Sequence, residues 1–138
     1  DILEWTSTKT FKYILLDAPC SATGTIRKHP DLIFLKNKNE LGKYIKTQQA
    51  LLEKALSLLS TQGQLIYCVC SVQKNEGIRQ IDRILKKFKN IRREPIKKSE
   101  FTQFEKYITK DGDIQTFPYM KKPGGMDGFF ISRLYKEY

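Results

Sequence analysis

Apolar positions along this chain fall into two alternating periods. From Phe11 to Asp17 the run FKYILLD is short and apolar, the pattern of a strand bound for a core. Loop signals follow through Pro30. Between Glu40 and Ser60 the apolar residues Leu41, Ile45, Leu52, Ala55, Leu56 and Leu59 keep helical spacing, so one face of a helix is apolar. Thr61-Gln62-Gly63 is expected to stop that helix, with Gly63 in the left-handed conformation common at helix ends. Gln64 to Cys70 then reads as a second strand. Ile78, Ile81, Leu85 and Phe88 share a face of a second helix, with Asn75 as its expected cap. Beyond Lys89 the pattern weakens. NIRREPI is expected to hold a third strand, Ser99 to Met120 to be mostly loop, and GFFISRLYK to close the domain as a strand after the turn KPGGMDG.

Strand, helix, strand, helix, strand predicts an α/β domain with a mostly parallel sheet covered on both faces. Nothing repeats internally, and residues 1–138 fit a single domain. In open sheets of this kind, ligands sit beyond the carboxyl ends of the strands. The first strand runs out into Asp17-Ala18-Pro19-Cys20 and the second into Cys70-Ser71. Neighbouring strands would therefore bring an acid and two thiols to one crevice. Cys68 lies one pleat further in and reads as a small packed hydrophobe. Asp17 is expected to be partly buried, which would raise its pKa and let it protonate a substrate nitrogen. Pro19 stiffens the loop and is expected to leave carbonyls free for a ligand.

Composition narrows the chemistry. The formal charge of +10 points to a polyanionic partner, nucleic acid before a membrane surface or an acidic protein. Three cysteines without an apolar leader favour a reducing, cytoplasmic setting over a disulfide framework. No apolar run approaches the ~20 residues needed to span a bilayer. Zinc is a poor match for one C-x-C, a distant Cys and the single His29. A phosphatase loop is a poor match too, since six residues separate Cys20 from Arg27 without a glycine-rich cradle. Basic residues cluster at Arg27 and Lys28 and again from Lys86 to Lys98. The first cluster adjoins the crevice, so a phosphate-tracking role is expected there. Tyr13, Tyr44 and Tyr107 read as packing.

DAPCSATG at residues 17–24, IRKHPD at 26–31, YCVCS at 67–71 and DGFFISRL at 127–134 resemble the signature motifs of the Sun-type (NOL/Sun) RNA cytosine-5 methyltransferases. The HPD segment and TQQALL at 47–52 are most similar to the branch acting on 16S ribosomal RNA. The resemblance implies a partial Rossmann-like, S-adenosylmethionine-dependent fold with a C-terminal antiparallel strand. It implies Cys70 as the nucleophile that adds to C6 of cytosine and Cys20 as the residue that assists C5 proton loss or adduct release. Asp17 would hold the N3/N4 edge and lie near the methionine end of the cofactor, and Asp1 would touch its adenine. The RNA-facing set would comprise Pro19, Ser21, Arg27, Lys28 and His29, with no metal and no membrane involved. Val69 stands where the family usually has Thr, and Asn75-Glu76-Gly77 where it often has Glu-Glu-Asn; neither change removes a reacting group. The family's glycine-rich cofactor loop and catalytic-domain lysine lie upstream of these motifs, and no G-x-G occurs here. The chain also lacks an initiator Met, so it is expected to be the C-terminal half of a catalytic domain. An RNA-binding module with idle cysteines, or an inactive fragment, is the competing expectation.

Overall fold

The computed structural model describes residues 1–35, 38–120 and 125–138. Its elements run β1 (Phe11–Asp17), α1 (Leu32–Leu35), α2 (Lys38–Leu58), β2 (Leu59–Val69), α3 (Ile78–Lys87), β3 (Ile91–Arg93), β4 (Ile114–Gln115) and β5 (Phe130–Lys136). The sheet has the order β1-β2-β5-β3, with β4 paired to β5. β1 and β2 are parallel neighbours, with Leu15 opposite Ile66 and Asp17 opposite Cys68. β5 enters between β2 and β3 and runs antiparallel to both. The expected closing antiparallel strand is therefore interior to the sheet, and its insertion separates the codirectional β2 and β3.

Side chains on a strand alternate between faces, and here the two faces differ. Leu65, Tyr67 and Val69 from β2 and Phe130 and Leu134 from β5 form one core with Leu52, Ala55 and Leu56 of α2 and Ile81 and Ile84 of α3. Burying each large aliphatic in that layer contributes about 1.5–3 kcal/mol. Ile66, Cys68 and Ile131 alternate with these residues and point to the other face. There Tyr13 and Leu15 of the edge strand β1 are 69% and 70% exposed. The expectation of a sheet covered on both faces is thus corrected toward β1: among the described residues, α2 and α3 cover one face, the turns at 98–107 reach only the β5 side of the other, where Glu100 meets Arg133, and β1 leaves an open edge. Tyr13 is consequently not a packing residue, whereas Tyr107 is buried.

β1 has the bounds its sequence predicts, but β2 does not. It begins at Leu59, several residues before the expected start, and its register against β1 slips between Phe11 and Tyr13. Thr61-Gln62-Gly63 forms this irregularity within the strand rather than a helix stop. Gln62, not Gly63, takes the left-handed conformation, with φ 59°. Gly63 is needed for a different reason, since a Cβ there would meet the Ser60 carbonyl oxygen at 2.8 Å. α3 begins after Gly77 without a side-chain cap, and Asn75 instead accepts from the Arg79 guanidinium at 2.6 Å. Part of the expected KPGGMDG turn lies outside the described residues. No helix among the described residues is long and apolar enough to cross a membrane.

Candidate active site

Parallel pairing of β1 with β2 carries on past the strands themselves. The Ala18 N–H donates to the Cys68 carbonyl and the Gly24 N–H to the Cys70 carbonyl, each at 3.0 Å. These bonds lay the loop after β1 alongside the loop after β2. The closing segment joins them, because the Gly128 N–H donates to the Gly24 carbonyl at 2.8 Å. Gly24 permits this approach: a Cβ would fall 1.8 Å from the Gly128 carbonyl oxygen.

The result is a pair of sulfurs. Cys20 Sγ and Cys70 Sγ lie 3.4 Å apart, both half-buried, and all three cysteines are free thiols. Burial pushes the Cys20 thiol up to about 12, with its hydrogen bond to Cys70 adding to the rise. Cys20 therefore keeps its proton at neutral pH, and either sulfur of the pair can be the S–H donor. Cys68 lies aside from them; its thiol donates to Asp17 Oδ1 at 3.6 Å. Burial, then the Asp17 charge, pushes Cys68 up to about 11. Cys68 thus belongs to the rim of the crevice rather than to the core. Asp17 itself is exposed, which removes the expected burial of its carboxyl.

Behind the sulfurs stands a buried polar cluster that sequence reasoning missed. Glu76 is fully buried. Its Oε1 accepts from the Ser21 N–H at 2.8 Å and from Gln48 Nε2 at 2.9 Å. Its Oε2 accepts from the Ser21 hydroxyl at 2.5 Å and the Ser71 hydroxyl at 2.6 Å. Gln48 also donates to the Pro19 carbonyl at 2.9 Å, and Gln80 donates to Gln48 Oε1 at 3.2 Å. Gln48 carried a legible signal, a polar residue on the apolar stripe between Ile45 and Leu52. Glu76 carried only its match to the second acid of the Glu-Glu-Asn run, with no local pattern to mark it as buried.

These contacts revise parts of the expected RNA-facing set. Ser21 is buried with its hydroxyl on Glu76, so it faces inward. The Pro19 carbonyl, expected to be free, is engaged by Gln48. Arg27, Lys28 and His29 are exposed. Arg27 and Lys28 both pair with Asp127, at 3.3 and 2.5 Å, which gives these cations an internal partner before any phosphate arrives. Asp1 is exposed, and its carboxylate accepts from the Leu3 N–H at 3.0 Å, closing a turn at the chain start. Among the described residues no three His, Cys, Asp or Glu side chains converge as a metal ion would require.

Comparison with known proteins gives the family of the chain. Residues 1–135 match the family model of the 16S rRNA methyltransferases RsmB/F. Ribosomal RNA small subunit methyltransferase B of Photorhabdus laumondii is 34% identical over 132 residues, covering 96% of this chain and 28% of the relative. The chain thus spans under a third of the length of that curated relative. The crystal structure of PH0851 superposes with a TM-score of 0.79 at 29% identity, over 91% of this chain and 26% of that one. NSun6 from Pyrococcus horikoshii, solved with SFG, shares the fold with a TM-score of 0.68 at 21% identity, over 90% of this chain and 29% of that one. Through the match across nearly all its residues, the chain belongs to the RsmB/F family of 16S rRNA methyltransferases.

Proposed function

We propose that this chain is the cysteine-bearing part of an S-adenosylmethionine-dependent enzyme that methylates C5 of a cytosine in ribosomal RNA, working in the cytoplasm. The observation that carries the reading is the 3.4 Å approach of Cys20 and Cys70 at the carboxyl ends of adjacent parallel strands. C5 of cytosine is too electron-poor to take a methyl group unaided. Addition of the Cys70 thiolate to C6 makes C5 enamine-like, and the C6–S bond must break again once C5 has lost its proton. A soft thiolate suits both steps. Because Cys20 holds its proton, it is better placed to donate to the departing Cys70 sulfur than to strip C5. Asp17, exposed beside the crevice, has a carboxyl that can meet the N3/N4 edge of the base. The target base must leave its stack to reach these groups, and a chain with a formal charge of +10 suits holding the strand meanwhile.

Of the cofactor's site the chain supplies one wall. The exposed carboxylate of Asp17 fits an ammonium group, Asp1 stands at the chain start, and no glycine-rich loop is encoded in the 138 residues. S-adenosylmethionine, when bound, supplies the electrophilic methyl group. The remainder of the cofactor wall is assigned to further sequence of a longer protein, seated against the open edge of β1. If no such segment accompanies this chain, the competing reading holds, an RNA-binding piece without catalysis.

A covalent trap decides between these readings. The complete polypeptide carrying this segment is incubated with cofactor and RNA containing 5-azacytidine, then run on a denaturing gel. The native protein is expected to form a shifted RNA complex and Cys70→Ala none. Cys20→Ala is expected to accumulate adduct on ordinary RNA because release slows. Trapping that survives Cys70→Ala overturns the nucleophile assignment.

A further inference from the structure

We infer that Glu76 is a positioning residue, a buried clamp that fixes the spacing between the Cys20 and Cys70 sulfurs. The inference rests on the proposed function only in taking this pair as the reacting one.

The clamp is built from neighbours of the cysteines. Ser21 follows Cys20 and Ser71 follows Cys70, and both hydroxyls converge on Glu76 Oε2. Ser21 also gives its backbone N–H to Oε1, and Gln48 adds a further donor from α2. All four are donations to the carboxyl, the pattern of an acceptor-only carboxylate. Among the described residues no Lys or Arg pairs with it. A buried charge without a cation is costly unless its lone pairs are filled, so each of these donors is strongly held. The Glu76 backbone is anchored as well, since its carbonyl accepts from the Tyr67 hydroxyl at 2.6 Å. The two loops are further joined by Thr23, whose hydroxyl lies 3.0 Å from that of Ser71 and accepts from the Val72 N–H at 3.2 Å. Hydrogen bonding therefore links each cysteine's successor to one buried carboxylate, so the backbones that carry the two sulfurs can part only if those bonds break. A one-ångström error in such a pair is enough to spoil catalysis.

The test reads the thiols directly and needs neither cofactor nor RNA. The chain is equilibrated in glutathione buffers of graded ratio. The two thiols lose two electrons to one oxidised glutathione, giving the Cys20–Cys70 disulfide and two reduced glutathiones. Alkylation and peptide mass mapping give the effective concentration of the pair, while circular dichroism follows folding. Glu76→Gln keeps an acceptor for the Ser21 N–H and Gln48 and turns amide hydrogens to the two hydroxyls, so its effective concentration is expected within about threefold of the parent. Glu76→Ala is expected to fall at least tenfold while the remaining population stays folded. Should Glu76→Ala not fold, Ser71→Ala, which severs one link, is expected to fall severalfold. A folded Glu76→Ala, or failing that a folded Ser71→Ala, with the parent's effective concentration overturns the clamp. The covalent trap fails independently: protein that never traps RNA but still loses thiol coupling without Glu76 refutes the reaction and keeps the clamp.

Discussion

Cys20 shares one crevice with Cys70, and burial governs its proton. Burial holds the Cys20 proton, pushing the thiol from 9.0 to about 12, so at pH 8 its thiolate fraction is about one part in ten thousand. An unfolded cysteine at 9.0 has about a tenth of its molecules ionised at that pH. Alkylation of Cys20 by iodoacetamide at pH 8 is therefore expected to run at least a hundredfold slower in the folded chain than in urea, as read by mass mapping, and to recover above about pH 11. Equal rates would show an open, ordinary thiol. The sign for stability follows from the same shift. The folded state binds the proton more tightly, so this group's contribution is intact below pH 9.0 and is lost as pH rises through about 12.

At the scale of elements, the site is a junction of three loops, and Gly24 sits where they meet. Its N–H and carbonyl bind the Cys70 and Gly128 backbones, and there is no room for a side chain against Gly128. Gly24→Ala must push the closing segment away from the first loop. It is expected to cost more than about 3 kcal/mol, seen as a lower urea midpoint. A midpoint unchanged within error would mean the loops part freely. What the sequence made legible follows the strength of its local patterns. β1 was readable residue by residue because a short apolar run between polar flanks has few alternative placements. β5 and α3 were readable for similar reasons. The start of β2 was not, because Thr61-Gln62-Gly63 has the composition of a turn, and only pairing with Phe11 and Tyr13 draws it into the sheet. β4 is a two-residue strand held by β5 and by one bridge from Ile108, too short to leave a period. Cys20, Cys70 and Asp17 were legible as residues at strand ends, because each lies at or just beyond the end of an apolar run. Glu76 was not, because its burial depends on donors from α2 and both loops, contacts that no local window contains.

At the scale of the molecule, the two faces of the sheet are unequal. α2 and α3 cover one. The other presents Tyr13, Leu15 and Ile66 beside an apolar cavity of about 570 Å³ lined by Ile66, Phe101, Phe104, Ile114, Phe129 and Ile131. Among the described residues no strand pairs with the outer edge of β1. Contiguous exposed apolar surface next to a free edge strand is unusual on a self-sufficient monomer and favours association. The formal charge of +10 opposes self-association through repulsion, a barrier that salt screens. This chain alone is therefore expected to bind an apolar dye such as ANS and to shift to larger species on gel filtration as salt is raised. Replacing Tyr13 and Leu15 together with Lys places charge on the bare face and leaves the helix-covered core untouched. Folding stability is expected to change by less than about 1 kcal/mol, since both side chains are largely exposed. Dye fluorescence is expected to fall severalfold and the salt-dependent species to disappear. A parent chain that stays monomeric and dye-free in high salt would mean that this face is already covered in solution, and the place given to further sequence against β1 would be lost.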